Sequence, residues 1–124
     1  MVKALAFVIF DMDGVLVDSL DAHLVSWRLL AEEKSFSFSE DYFRKSFGNH
    51  GRVIIQDWLG PQLSISEIQR LIDKKEFFYR DIAKDHVKPM PGVVDLLRNL
   101  ANKGIPLAVG SSGPRANVEF ALEI

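Results

Sequence analysis

The feature that most constrains this chain is an apolar run, Ala4 to Phe10, that ends abruptly in Asp11-Met12-Asp13-Gly14. A short apolar run bounded by a turn signal reads as a buried strand, and Gly14 permits the tight turn that follows. In an open α/β sheet, groups just past the C-terminal end of a strand face the ligand crevice. Asp11 therefore stands at a strand tip, placed to act as a nucleophile or metal ligand. Asp13 follows on the turn, close enough to exchange a proton with whatever Asp11 attacks. Two carboxylates this close repel, and Mg²⁺ with oxygen ligands is the usual physical remedy. The plainer alternative is a strand ending in an acidic turn without chemistry. The full string through Val15-Leu16-Val17-Asp18-Ser19 weighs against it.

Beyond the turn the pattern changes to helical spacing. Asp18 or Ser19 caps a helix with Asp21 in its first turn and an apolar stripe of Leu20, Leu24, Trp27, Leu30 and Ala31. Ser39-Glu40-Asp41 starts a short helix carrying Phe43 and Phe47, and Gly48-Asn49-His50-Gly51 reads as a turn. Val53 to Leu59 forms another helix, stopped by Gly60-Pro61. Ser64 with Glu67 makes a capping box for a long helix whose stripe is Ile68, Leu71, Ile72, Phe78 and Ile82, ending near His86. From Ala22 to Lys84 the pattern predicts helices and no strand.

Pro89-Met90-Pro91-Gly92 marks the return, with Pro91 in the first turn of a helix and Val93, Val94, Leu96, Leu97 and Leu100 facing the core. Asn102-Lys103-Gly104 stops it. Ile105 to Val109 is a second buried strand with Gly110-Ser111-Ser112-Gly113 at its tip. Pro114 opens a last helix that carries no C-cap before Ile124. Ser111 and Ser112 lie where a strand gives way to a helix N-terminus, so hydroxyls and free N–H groups form a phosphate cradle there. A plain connecting loop explains the same residues equally well.

Asp11-Met12-Asp13-Gly14-Val15-Leu16-Val17-Asp18-Ser19 resembles the first signature of the haloacid dehalogenase superfamily of phosphatases and phosphomutases. The resemblance implies an α/β, Rossmann-like parallel-sheet core (residues 1–17 and 89–124), here only its N-terminal part, with an all-helical cap inserted at residues 18–88. It implies that Asp11 forms an aspartyl-phosphate, that Asp13 is the general acid/base, and that both bind Mg²⁺, Asp13 through its carbonyl. Dehalogenating members lack the second Asp, so Asp13 favours phosphoryl transfer. Gly110-Ser111-Ser112 after its strand resembles the second signature, which makes Ser111 the phosphoryl-binding residue with Ser112 beside it. His23 and Trp27 resemble cleft-facing positions on the first cap helix of the β-phosphoglucomutase-like group, an exposed His and a core Trp being the bland alternative. Gly48 and Arg52 resemble that group's substrate loop, although Gly51 stands where a polar residue is often found.

The implied activity is Mg²⁺-dependent phosphoryl transfer that hydrolyses a small phosphorylated metabolite such as a sugar phosphate. A phosphomutase, a receiver-like phosphate acceptor and a truncated, non-catalytic chain are the alternatives, and the long helical insert argues against the receiver. The family's third-signature Lys and fourth-signature acidic pair have no counterpart. Every lysine, Lys3 through Lys103, precedes the second strand tip, and only Arg115, Glu119 and Glu123 are charged after Ser112. The 124 residues are therefore expected to be an incomplete catalyst and an incomplete fold that self-associates. A net charge of −2 gives no electrostatic case for nucleic acid or an anionic membrane. The N-terminal run is too short to span a bilayer and has no cleavage site. The absence of cysteine excludes disulfides and thiolate metal sites, and fits a cytoplasmic setting.

Overall fold

The computed structural model describes residues 6–124. Two strands, β1 (Val8–Phe10) and β2 (Leu107–Val109), pair in parallel with Val8 opposite Leu107 and Phe10 opposite Val109. The ladder extends one bond beyond each end, from Val8 N–H to the Pro106 carbonyl (3.0 Å) and from Gly110 N–H to the Phe10 carbonyl (2.8 Å). Both strands are shorter than the apolar runs that predict them, and Ala4 and Leu5 lie outside the described residues. The parallel register sets Asp11 and Gly110 side by side at the carboxyl edge.

Between the strands run α1 (Leu20–Lys34), α2 (Glu40–Ser46), α3 (Gly51–Leu59) and α4 (Ile65–His86), with no strand among them. Each boundary has a local cause. Ser35 takes the left-handed conformation (φ 58°) that ends α1. The Ser39 hydroxyl caps α2 by accepting from Tyr42 N–H. Ser64 and Glu67 form the reciprocal capping box of α4. Gly51 begins α3 instead of closing the turn before it, with His50 as its cap.

These helices bury Leu24, Trp27, Leu30, Phe43, Ile54, Ile55, Ile68 and Ile72 in one core. Aromatic rings fill it: Trp27 stacks on Phe43 at 5.2 Å between centroids, and Trp58 meets Phe43 edge-on at 5.1 Å. The face of α4 is rotated from the expected stripe. Its buried residues are Ile68, Ile72, Lys75, Glu76, Tyr79 and Ala83, while Leu71, Phe78 and Ile82 are only partly covered.

The chain crosses between the helical unit and the sheet twice, and the crossings pair. Asp18 N–H donates to the Lys88 carbonyl and Met90 N–H to the Leu16 carbonyl, both at 2.9 Å, around an antiparallel bridge from Val17 to Pro89. A second core of Met12, Val17, Ala22, Tyr79, Ala83 and Val87 lies at this junction.

The remaining elements depart from expectation. Helix α5 (Val93–Asn102) has Gly92 (φ 80°) as its cap, so Pro91 sits in the preceding turn and not inside the helix. None of its residues is buried, and Val94 and Leu96 of the expected core stripe are exposed. Helix α6 (Arg115–Leu122) closes at Leu122 with Glu123 as cap, so the chain does not end inside it. Together these elements are a partial Rossmann-like core with a helical cap. No helix among the described residues is long and apolar enough to cross a membrane.

Candidate active site

The turn after β1 is wound about one carbonyl. Met12, itself buried, accepts from the N–H groups of Val15, Leu16 and Val17 at 2.8 to 3.2 Å. Gly14 has φ 75°, and a Cβ there would stand 3.2 Å from Phe47 Cε1 of the helical unit. Backbone conformation and closeness of the opposite wall both demand glycine. Asp11 is exposed at the tip, with Oδ1 accepting from Met12 N–H at 2.7 Å.

Asp13 is held far more tightly. Its Oδ1 accepts from the Ser19 hydroxyl (2.7 Å) and pairs with His23 Nε2 (3.0 Å). Ser19 is the N-cap residue of α1, but its hydroxyl makes no capping bond and is spent on Asp13. Burial alone would raise the Asp13 carboxyl. The hydrogen bonds from His23 and Ser19, with the charge of Lys75, outweigh burial and hold it below its ordinary range.

His23 is buried, which decides against the exposed-histidine alternative. Its ring stacks flat on Tyr79, 3.9 Å between centroids at 1°. Lys75 Nζ lies 2.7 Å from His23 Nδ1 and 3.0 Å from Glu76 Oε1. With Lys75 donating to Nδ1, the proton shared with Asp13 belongs on Nε2. Burial lowers the imidazole, and the neighbouring ammonium lowers it further. Burial also lowers the Lys75 ammonium, against the opposing pull of Glu76. The chain of bonds runs on: Glu76 Oε2 accepts from Asn117 Nδ2 (2.6 Å), and Asn117 Oδ1 accepts from Arg80 (2.8 Å). It starts on the β1 turn, passes through α1 and α4, and returns to α6 beside the second strand tip.

That tip also meets the helical unit directly. Ser112 Oγ donates to the Gly48 carbonyl at 3.1 Å. Ser111 Oγ accepts from Gly113 N–H at 3.0 Å. A cavity of about 280 Å³ opens between the two units, walled by Asp11, Asp13, His23, Trp27, Gly48 and Ser112 among others. Six of the expected site residues thus converge on one cavity. Ser111 backs the loop without joining the wall. Arg52 is exposed and outside the wall, its N–H capping on His50 Nδ1 at 3.1 Å.

Lys75, Glu76, Tyr79 and Asn117 were not expected here from sequence. A signal existed for two of them: Lys75 and Glu76 fall at helical spacing from Ile68 and Ile72, polar residues on an apolar face. Nothing local marks Asn117.

Three comparisons place the arrangement. The chain is 30% identical over 112 residues to the Phosphorylated carbohydrates phosphatase of Thermotoga maritima, across 87% of this chain and 50% of that protein. It is 27% identical over 116 residues to the Beta-phosphoglucomutase of Bacillus subtilis, across 88% of this chain and 51% of that protein. The crystal structure of a HAD hydrolase, family IA, variant 3, from Entamoeba histolytica matches with a TM-score of 0.81 at 25% identity, over 96% of this chain and 54% of that one. The chain spans about half the length of the curated relatives it matches. Residues 8–124 carry the sequence pattern of the haloacid dehalogenase-like hydrolases, and the chain belongs to that family.

Proposed function

We propose that the full-length protein hydrolyses a small phosphorylated metabolite, such as a sugar phosphate, by Mg²⁺-dependent phosphoryl transfer through an aspartyl-phosphate at Asp11. Residues 1–17 and 89–124 form the core on this reading, and residues 18–88 the cap. The observation that carries it is the strand tip: an exposed carboxylate on Asp11, an anchored one on Asp13, and the hydroxyl-bearing tip of the adjacent parallel strand, which lines the same cavity.

The donor chemistry fits Mg²⁺, which binds through one or two carboxylates with phosphate oxygens and water completing its shell. Among the described residues no three His, Cys, Asp or Glu side chains converge. The Asp11 carboxylate and the Asp13 main-chain carbonyl would hold the ion, which when bound offsets the charge of the phosphoryl group.

Asp11 attacks phosphorus in line, forming an acyl-phosphate bond as the ester P–O bond breaks. Asp13 gives a proton to the departing oxygen, then takes one from the water that hydrolyses the acyl-phosphate. With no ligand bound, Asp13 is held as the carboxylate that the second step needs. An entering phosphate places a like charge beside it, which pushes the carboxyl back up toward the protonated form that the first step needs. Ser19 and His23 fix its orientation throughout. A mutase would use the same residues with a sugar hydroxyl in place of water, as the name of the Bacillus subtilis relative suggests.

Asp11→Asn is expected to abolish Mg²⁺-dependent phosphate release, and Asp13→Asn to reduce it on the order of 10² to 10⁴-fold. Beryllofluoride is expected at Asp11 only with Mg²⁺ present. Undiminished release by Asp11→Asn, checked for deamidation, would overturn the reading.

A further inference from the structure

Helix α6 buries one residue, and that residue is polar. Asn117 is 1% exposed and lies in the first turn of the helix, just beyond the second strand tip. A primary amide is both donor and acceptor. Asn117 Nδ2 donates to Glu76 Oε2 at 2.6 Å, and its Oδ1 accepts from Arg80 at 2.8 Å. Glu76 and Arg80 stand one turn apart on α4, a spacing that puts both side chains on the same face. A carboxylate only accepts and a guanidinium only donates, so one orientation of the amide satisfies both.

From Glu76 the bonds lead inward. Lys75 Nζ lies 3.0 Å from Glu76 Oε1 and 2.7 Å from His23 Nδ1, and His23 Nε2 lies 3.0 Å from Asp13 Oδ1. His23, Lys75, Glu76 and Asn117 are all buried, so removing one member leaves its neighbours without water as a substitute. A shorter route meets the other oxygen of the Asp13 carboxyl. A Cβ placed on Gly113 would stand 3.9 Å from Asn117 Nδ2 and 4.0 Å from Asp13 Oδ2. Asn117 and Asp13 therefore flank the same glycine of the second strand tip. Lys75, Glu76 and Gly113 line the cavity, while Asn117 stands outside its wall.

We infer that Asn117 is a positioning residue for proton transfer at Asp13: it fixes the Glu76 carboxylate and, through Lys75 and His23, the direction in which the Asp13 carboxyl faces the second strand tip. The inference rests on Asp13 as the general acid/base. Proton transfer needs donor and acceptor within about 2.6–3.2 Å of one another. A misplacement on the order of 1 Å costs as much as about 10²-fold in rate. A side chain that never touches substrate can therefore govern the step by holding the one that does.

The test compares two esters on the full-length protein with Mg²⁺, below the melting temperature of each variant. Glycerol phosphate leaves as an alkoxide and needs a proton, whereas p-nitrophenyl phosphate leaves as a stable phenolate and does not. Their kcat/KM values report the step in which the leaving group departs. Asn117→Leu is expected to lower kcat/KM for glycerol phosphate by about tenfold or more, and to lower it much less for p-nitrophenyl phosphate. Asp13→Asn should show the same pattern with a larger loss, and Asn117→Leu should add little in that background, because the two act in one network. Asn117→Asp sets two carboxylates together and should also impair glycerol phosphate cleavage. Adding Glu76→Gln to it reverses donor and acceptor, restores the bond at unchanged total charge, and should recover most of the loss. Asn117→Ser takes the place of Asn117→Leu if the latter does not fold. Equal losses for the two esters, full additivity with Asp13→Asn, or a double variant no better than Asn117→Asp overturns the inference and leaves Asp13 in its role. If Asp13→Asn itself does not separate the two esters, the reading of Asp13 fails and the inference falls with it.

Discussion

Leu30 on α1 is fully buried, whereas Leu96 on α5 is 46% exposed, although each sits on the apolar stripe of an amphipathic helix. The helical unit covers its stripes with one another and with aromatic rings. The two-stranded sheet has little to pack on: Ile9 in the centre of β1 is 62% exposed, and Leu122 of α6 is 69% exposed. Amphipathicity states that a face seeks cover, and only the neighbouring elements decide whether cover exists. One half of the molecule is therefore stabilised by its own core. The other is held by the short parallel ladder, by the second core at the junction, and by the polar chain that links it to α4.

The widest contrast concerns truncation of those leucines. Leu30→Ala removes a buried side chain and is expected to cost about 2–5 kcal/mol in urea unfolding. Leu96→Ala is expected to stay within about 0.5 kcal/mol. Equal costs would show that α5 is packed as tightly as α1, and would break the comparison.

A smaller effect is expected where the halves join. Asn117→Leu leaves Glu76 Oε2 without its 2.6 Å partner, a loss of about 1–3 kcal/mol for a buried unsatisfied group. Asn117→Asp places two carboxylates against each other and should cost at least as much. Hydrogen exchange should rise in α6 in both variants and stay unchanged in α1. Faster exchange throughout α1 would mean that the link supports the helical core as well.

Acid should sharpen the same distinction. His23 binds a proton less readily folded than unfolded, so its contribution is present above the ordinary value of 6.5 and is lost as pH falls below it. Asp13, also lowered, contributes above 3.8, and that contribution is lost as pH falls through its folded value. Melting temperature should decline as pH falls from about 7 toward 4, with a shallower decline in His23→Gln. An identical slope in that variant would place the acid sensitivity elsewhere.

The least demanding comparison is between exposed faces. Leu96→Lys should leave the melt unaltered and reduce self-association of this chain measured by light scattering, because it charges an uncovered apolar stripe. Unchanged association would direct attention to the sheet edges instead.

Much of this architecture is local and was legible in the residues. The D-x-D turn follows from Gly14, the capping box from Ser64 and Glu67, and the end of α5 from Gly104 (φ 72°). Such features depend on neighbours a few residues away, so composition and spacing suffice to place them. Parallel pairing of β1 with β2 was implied by the family resemblance, and the helical crossover between the two strands is its physical reason.

Asp13, His23, Gly48 and Ser112 were legible as site residues through the family resemblance, but the bonds that join them to one another and to Lys75, Glu76 and Asn117 were not, because those groups are brought together only by packing. His23 and Lys75 are 52 residues apart, Glu76 and Asn117 are 41 apart, and Gly48 and Ser112 are 64 apart. Which side of α4 turns inward depends on a small rotation that the pattern of Leu71, Phe78 and Ile82 did not fix, and that rotation buries Lys75 and Glu76 instead. Ser19 illustrates the same limit in one residue. Its sequence position makes it a helix cap, while the folded chain offers its hydroxyl a carboxylate at 2.7 Å, and a hydrogen bond to a charged group is stronger than a neutral cap.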